Sequence, residues 1–576
     1  MNGRWDSLFG IDTMNRIMLL ALLSALWMDS AAAQSLASSV IDGDNYNFVL
    51  KATSHEYNNF WQDSNGGIRG LVAGSDVDQD GLYEIICSDY DNGGKVHVFE
   101  VVGDNQLQWI WSSPNIGSST QTTCRYVGLS DLDNDSKQEI LLSISEQPGY
   151  HSDQAGIQVY EWTGENNQFG SAPTAITRAV TNLSRFRCDS FFAKDIDKDG
   201  KQELVLAING DGDQDYFVVL ALTGTFEQKN VSWVKKAEFS KLSSFLGDAI
   251  NVLWCDMDGD GHWGILGQSY QNMMILPIEV TGPNQYVAGT AFQLNPDIND
   301  VNLINGAAAD INNDGKDEVF YTGWKTGNLY LLATADDALT LNANNATLLS
   351  RGRAGAPFAS FGMAIGDQDH GLVNDGPDLY IGSGGNNYDF YDLEFTGGDI
   401  RDSLNYHWYA MYDDTTDGGA ITTQVVVPMN DLDKDGDKEL VLGYQSIPDS
   451  VDGQAVEKHW LRVLEYDFPT SVQHLETWTA QVPQAMLLVN NYPNPFAGST
   501  TFALALRQQG VLSGVLFDIL GKQVATLAPA QFCPTGERQW QWQGNDDRGQ
   551  VLPNGIYFAR FSLNGTVGTR QITIHR

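Results

Sequence analysis

Basic residues are scarce in this chain: 33 lysines and arginines stand against 73 aspartates and glutamates over 576 residues, a formal net charge of −40. Such a polyanion repels phosphate backbones and anionic headgroups, which excludes nucleic acid and an acidic membrane surface as the main partner. Cysteine is sparse too. Cys87, Cys124, Cys188, Cys255 and Cys533 are odd in number and lack metal-ligand spacing. They read as small buried residues, and no disulfide pairing follows from their positions. Beyond the N-terminal region no apolar run approaches the ~20 residues that a membrane span needs. Neither HExxH nor GxSxG occurs, His55-Glu56 has no second histidine four residues on, and the nine histidines are scattered. These absences weigh against catalysis. Helical 3.6-residue periodicity is also missing. What is abundant is turn-forming glycine (58) and aromatic residues (25 Phe, 22 Tyr, 15 Trp), the composition of an all-β protein with many turns.

The N-terminus has the form of an export signal. Arg16 precedes the apolar run Ile17 to Met28, and Ala31-Ala32-Ala33 precede Gln34, which predicts cleavage after Ala33. Met1 to Thr13 adds little to such a signal, so Met14 is an alternative start.

The acidic residues are concentrated in one recurring unit. Its most regular copy is Asp431-Leu432-Asp433-Lys434-Asp435-Gly436-Asp437-Lys438-Glu439. Carboxylates at positions one, three, five and nine of a tight loop converge on one point and repel unless a cation sits among them. Alternating oxygens, a glycine at the sharp turn and a backbone carbonyl at seven are the logic of a calcium loop, closed here at nine rather than twelve, so not an EF-hand. Further copies are Asp76, Asp78, Asp80, Leu82, Glu84; Asp131, Asp133, Asp135, Lys137, Glu139, with Ser136 where the turn wants glycine; Asp195, Asp197, Asp199, Lys201, Glu203; Asp256, Asp258, Asp260, with Gly264 in place of the closing acid; and Asp310, Asn312, Asp314, Lys316, Glu318. An irregular copy has Asp367 and Asp369 followed by an insertion before Asp375-Gly376-Pro377-Asp378. In the complete loops the residue at seven (Leu82, Lys137, Lys201, Lys316, Asp437) is the carbonyl donor of the expected metal set.

Successive first aspartates, from Asp76 to Asp431, lie 54 to 64 residues apart. A fixed period of that size indicates a repeat architecture. In the first period the strands are expected at 70–74, 83–88, 95–102 and 107–111, with the acidic loop between the first two. Four short antiparallel strands per period, seven times over, match a radial propeller, whose closure removes exposed sheet edges. The loops then share one face near the rim of the central channel. Residues 46–53 are positioned to donate a strand to the last blade.

These repeats resemble the FG-GAP/VCBS repeats of integrin α-subunit propellers and their bacterial secreted relatives. Phe361-Gly362-Met363-Ala364-Ile365-Gly366-Asp367 and Ile304-Asn305-Gly306-Ala307-Ala308-Ala309-Asp310 resemble the family's lead-in, and Asp-x-Asp-x-Asp-Gly its calcium loop. The resemblance spans roughly Gly66 to Phe468 and implies the fold and structural Ca2+, about four to six ions, without naming a partner. From Asn491-Tyr492-Pro493-Asn494-Pro495-Phe496 onward, with Val515 to Val524 and Asn554-Gly555-Ile556-Tyr557, the chain resembles the C-terminal sorting domain of type IX secretion. That implies engagement of outer-membrane sorting machinery.

The expected organisation is a signal peptide (1–33), a seven-bladed β-propeller (44–469), a linker (470–484) and a small Ig-like β-sandwich (485–576). The expected protein is secreted or on the bacterial cell surface, without a transmembrane anchor once mature. Its expected role is non-catalytic binding of an extracellular glycan or protein. A polysaccharide-acting enzyme such as a lyase, and a surface-layer or filament subunit, are the alternatives. Asp211-Gly212-Asp213-Gln214-Asp215 is expected as a hairpin turn, and the aromatic group from Tyr406 to Tyr412 as core packing.

Overall fold

The computed structural model describes residues 40–576 except for short intervals, the longest being 42–47, 55–66, 115–120, 241–247, 295–301, 352–361, 369–375, 383–389, 411–420 and 467–485. The expected export signal, the linker, the turn 211–214, and Asp369 and Asp375 of the irregular loop lie outside the described residues. The chain divides into two compact units between Phe468 and Pro469.

Among its described residues the first unit is all β, with seven sheets of four or five strands, antiparallel except for one N-terminal strand, and a two-stranded hairpin. In the first sheet the strands are Leu71–Ser75, Tyr83–Asp89, Lys95–Gly103 and Gln106–Ser112, paired in chain order. The next four sheets begin at Thr122, Cys188, Ala249 and Leu303 and repeat that order. The expected strands of the first period agree with these to within one or two residues, the ordinary fraying of strand ends. Second strands are apolar without alternation because both faces are covered. Glu139–Glu146, Glu203–Asn209 and Gly264–Ser269 are buried at every position.

The first strand of each sheet packs against the first strand of the next, from Leu71–Ser75 around to Ile421–Val426, which returns to Leu71–Ser75. The sheets therefore form a closed ring, the propeller arrangement. Apolar cores fill each gap between consecutive sheets. One joins Val98 and Ile86 to Leu142 and Tyr160, another Leu206 and Val218 to Leu141 and Val159. A third closes the circle by placing Leu440 and Leu464 against Ile85 and Phe99.

Closure also involves the N-terminal segment. Phe48–Thr53 pairs antiparallel with Leu461–Tyr466, with Phe48 opposite Tyr466 and Leu50 opposite Leu464. The strand expected from residues 46–53 thus completes the last sheet. Phe48 is buried and meets the edges of Tyr380 and Phe390 at ring-centroid distances of 6.2 and 5.7 Å. Val40–Ile41 adds a parallel pairing to Trp408 and Tyr409 of the sixth sheet.

All five cysteines are buried and unbridged. Cys124 and Cys188 each lie seven residues before the first aspartate of their loops and make equivalent contacts: the Cys124 thiol donates to the Tyr126 carbonyl at 3.7 Å and Cys188 to the Ser190 carbonyl at 3.2 Å. Tyr406 is buried and its hydroxyl donates to the Ile400 carbonyl at 2.7 Å, so this member of the aromatic group is core.

The second unit is a two-sheet sandwich. Met486–Tyr492, Thr500–Leu506 and Gly536–Trp542 form one sheet; Gln523–Cys533, Gly510–Asp518, Gly555–Leu563 and Thr566–Ile574 form the other. Phe502 and Phe561 meet across the interior at 5.5 Å, among Leu504, Leu516 and Ile572. Among the described residues no helix is long and apolar enough to cross a membrane.

Phe48→Ala empties a fully enclosed ring site on the closing strand. A loss of about 3–5 kcal/mol is expected in denaturant unfolding. A loss under about 1 kcal/mol would show that the strand does not hold the ring together.

Candidate metal centres

Each acidic loop sits between the first and second strands of a sheet, so all of them occupy one end of the ring. Their shape depends on two left-handed residues per loop, at positions four and six. Position six is Gly81, Gly200, Gly261, Gly315 and Gly436 with φ between +82° and +101°. In the second loop Ser136 is forced to φ +71°, where a side chain is strained. Position four carries Gln79, Asn134, Lys198, Gly259, Asn313 or Lys434, at φ between +57° and +72°.

The carboxylates of the first, second and seventh loops converge, while Glu203 of the third loop stands outside the group formed by its three aspartates. One oxygen each from Asp76, Asp78, Asp80 and Glu84 lies within 4.8 Å of the others, and the same holds for Asp131, Asp133, Asp135, Glu139 and for Asp431, Asp433, Asp435, Glu439. Asp195, Asp197 and Asp199 form a group of three, as do Asp256, Asp258 and Asp260.

Several of these carboxylates have one tethered oxygen and one turned inward, whereas Asp131, Asp256, Asp310 and Asp431 accept backbone N–H groups on both oxygens. Glu84 Oε2 accepts from the Val77 N–H at 2.6 Å, Asp76 Oδ2 from Gly81 N–H at 3.0 Å, and Asp78 Oδ2 from Asn167 N–H at 2.6 Å. The partner oxygens Glu84 Oε1, Asp76 Oδ1 and Asp78 Oδ1 are buried without any hydrogen-bond donor. Glu139, Glu203 and Glu439 repeat the pattern: Oε2 is tethered to the N–H of Leu132, Ile196 and Leu432, and Oε1 is left over. Buried acceptors are ordinarily satisfied, and acids with a leftover buried oxygen at recurring loop positions are groups that could hold a metal ion. The residue at seven (Leu82, Lys137, Lys201, Lys316, Asp437) donates its own N–H to the aspartate at five, at 2.8 to 3.0 Å.

The irregular loops differ in instructive ways. In the fifth, Asn312 Nδ2 points inward, donating to Asp314 at 3.2 Å and Glu318 at 3.1 Å. In the second, the Lys137 ammonium reaches Asp135 at 2.9 Å and Glu161 at 3.5 Å and supplies part of the counter-charge internally. In the fourth, Gly264 lies directly across from Glu279 of the third strand. Burial, then Asp337, Asp258 and Asp260, raises the Glu279 carboxyl above its usual range. Asp367 of the sixth loop has a buried oxygen, Oδ1, that accepts no hydrogen bond.

Two features were not legible from the loop pattern. Third-strand glutamates stand opposite the closing acids, Glu100 facing Glu84, Glu161 facing Glu139 and Glu465 facing Glu439; strand register, not spacing within the loop, creates these pairs. The second is a link between sheets. The aspartate at position three accepts an N–H from the third-to-fourth-strand turn of the next sheet: Asp78 from Asn167, Asp133 from Phe226, Asp197 from Asn284, Asp258 from Ala338 and Asp433 from Asn105, all at 2.6 to 3.0 Å. The residue at eight reaches back to the preceding sheet. Gln138 accepts from Ser75, Gln202 from Ser130, Asp317 from Asp256 N–H, and Tyr83 receives the Lys434 ammonium over its ring at 4.5 Å.

No family model matches the chain, and no curated protein matches it. Among solved structures it is similar to PorZ, a bacterial surface component of the type-IX secretion system of Porphyromonas gingivalis, at 12% identity and a TM-score of 0.37, over 86% of this chain. The chain spans 58% of the PorZ chain. It is also similar to the V. cholerae biofilm matrix protein Bap1, at 12% identity and a TM-score of 0.31, over 74% of this chain and 92% of that one. Both superpositions are too loose to argue function from.

Without a cation, burial chiefly, with help from the neighbouring aspartates, pushes Glu84 and Glu139 up to about 9 and Glu203, Glu318 and Glu439 up to about 8. A carboxyl raised above its unfolded value stabilises the fold at low pH and loses that contribution as pH climbs through the folded value. In chelator the protein is therefore expected to melt lower at pH 9.5 than at pH 6. Loading a divalent cation at pH 7 is expected to release protons, because the ion requires the charged form. A flat melting profile in chelator together with proton-neutral loading in a pH-stat would contradict this. Separately, Ser136→Gly relieves the left-handed strain and is expected to stabilise by about 1 kcal/mol in chemical denaturation.

Proposed function

We propose that the chain is a calcium-stabilised, non-catalytic binding protein of the FG-GAP/VCBS type, exposed outside the cell and delivered there by its C-terminal sandwich as a sorting domain. One observation carries the calcium assignment: buried, inward oxygens without donors recur at the same loop positions around the ring. Hard oxygen ligands in an irregular cage suit calcium, whereas magnesium holds its waters and demands octahedral geometry. The ligand sets are those of the loops, with Glu279 taking the place of the absent acid in the fourth. At a site affinity of about 0.1 mM and about 2 mM calcium, linkage stabilises by about 1.8 kcal/mol per site. Several sites together are comparable to a domain's net stability.

Non-catalytic binding is favoured by what three of the described histidines do. His97 is buried against Ser112 Oγ at 2.7 Å, His262 sits on Asp260 at 3.0 Å, and His151 lies 3.1 Å from the Glu146 carboxylate. Each is held by a structural partner rather than presented to a cleft. The wall of the central channel is largely aliphatic or small, including Leu71, Ile250, Gly306 and Ala307. The carboxylate among its described lining residues, Asp189, is held far below the usual range: burial opposes its charge, but Arg125, Arg187 and Arg69 outweigh that. A group so acidic is a poor proton acceptor at neutral pH.

EDTA is expected to lower the melting temperature by more than 10 °C, with recovery on adding calcium but not magnesium; a shift of that order corresponds to several kcal/mol. Calorimetric titration is expected to count at least three sites, and Glu84→Gln to remove one of them. An unchanged melt in EDTA would end the assignment.

A further inference from the structure

The acidic loop of the last sheet is held from across the seam where the ring closes. Asn105 lies in the turn between Lys95–Gly103 and Gln106–Ser112 of the first sheet. Its backbone N–H donates to Asp433 Oδ2 at 2.8 Å, and its side-chain amide donates to Glu465 Oε2 at 2.7 Å and to the adjacent Asp104 at 3.1 Å. Glu465 is 4% exposed and stands directly across from Glu439, the closing acid of the loop. Its Oε2 also meets the Lys51 ammonium of the closing strand at 3.1 Å. One buried carboxylate thus gathers a first-sheet turn and the N-terminal strand beside the metal loop. The loop reaches over the seam as well: the Lys434 ammonium donates to the Gly81 carbonyl, and the Asn430 amide to the Gly74 carbonyl at 2.7 Å.

The arrangement recurs one sheet on. Asn167 donates its N–H to Asp78 Oδ2 at 2.6 Å and, with its amide nitrogen turned to the acids, reaches Glu100 Oε1 at 3.1 Å. Asn105 and Asn167 are both left-handed, at φ +50° and +60°, a conformation that asparagine tolerates better than most residues. The junction of the third and fourth sheets is an internal comparison. There Ala221, not a glutamate, stands across from Glu203. Asn284, at φ +58°, keeps the backbone bond to Asp197 at 2.7 Å, but its side-chain oxygen accepts from Lys236 instead. A residue serving only the turn would place its amide alike at all three junctions. The amide goes to the acids where the neighbouring third strand carries a glutamate.

We propose that Asn105 is a positioning residue for the seventh metal centre, which makes that centre the clasp of the ring. The centre is completed when the first sheet docks on the last, and a cation bound there holds the two together. Asp433 Oδ2 is fixed by the first sheet and Oδ1 by Asp435 N–H at 3.2 Å, so the position-three ligand is oriented from across the seam. Glu439 is 1% exposed and its Oε1 has no donor among the described residues; this is the oxygen that a cation would satisfy. Cation binding and seam docking then strengthen each other by the same factor, as linkage requires. The clasp rests on the calcium reading above and adds to it that this site is built from two sheets.

The test is hydrogen exchange by mass spectrometry on the full chain, alongside calorimetric calcium titration. In the wild type, calcium is expected to slow exchange in the first-sheet turn 103–106 with the same midpoint as in the loop 431–439. Asp435→Asn removes a ligand whose carboxylate accepts from Asp437 N–H at 2.9 Å within its own loop. At saturating calcium it is expected to speed exchange in 103–106 by about tenfold or more, the loss of a hydrogen bond to a charged group, and to leave the turn 165–168 unchanged. Asn105→Gly keeps the left-handed turn and its N–H but loses the amide, and is expected to weaken one calcium site by about tenfold. Asn284→Gly, whose amide is engaged by Lys236, is expected to leave every site as in the wild type. Different midpoints in the wild type, wild-type exchange at 103–106 in Asp435→Asn, or equal calcium affinities in the two glycine variants would overturn the clasp while calorimetric calcium binding stood. Absence of calcium binding would remove the calcium reading and the clasp together. The midpoint comparison needs no variant, so it decides even if a substituted chain fails to fold.

Discussion

Like charges held together out of water must be neutralised, and the ring end of this protein is arranged around that requirement. Each complete loop drives three or four carboxylates into a space a few ångströms across and tethers one oxygen of several of them to backbone N–H groups. The tethers fix orientation but leave charge uncompensated. Protons, a lysine or a metal ion can supply what is missing, and different loops use different means. Lys137 does so in part in the second loop, and the inward amide of Asn312 in the fifth lessens the demand. The first and seventh loops have no such internal device among their described loop residues.

Much of this was legible in the sequence because turn chemistry and period are local properties. Asp-x-Asp-x-Asp-Gly dictates a loop with two left-handed residues, and the apolar runs after it dictate buried strands; both lie where expected, down to the strands of the first repeat. The closing strand at Phe48 was also foreseeable, because a ring of sheets needs its last edge covered. What could not be read were relations that depend on register and on neighbours in the ring. Glu279 across from Gly264 is invisible until the third strand is aligned with the second. The arginine cluster draws on residues up to 120 positions apart in the chain, and no local pattern announces it.

The two ends of the ring solve the problem of buried charge differently. Where first strands finish, carboxylates cluster with one another; where they begin, Asp189 is neutralised directly by Arg69, Arg125 and Arg187. The same short strand that delivers an aspartate to a metal loop delivers an arginine or its partner to the other end.

The pairing of Phe48–Thr53 with Leu461–Tyr466 has a bearing on how the molecule is made. The two partners are among the first and last ring segments to leave a ribosome, so the final sheet has a very high contact order. Earlier sheets can assemble on their local hairpins while the opening strand waits for its mate. The circle is therefore sealed only after synthesis of the whole ring, and a chain cut short before Leu461 would present unpaired edges prone to aggregation.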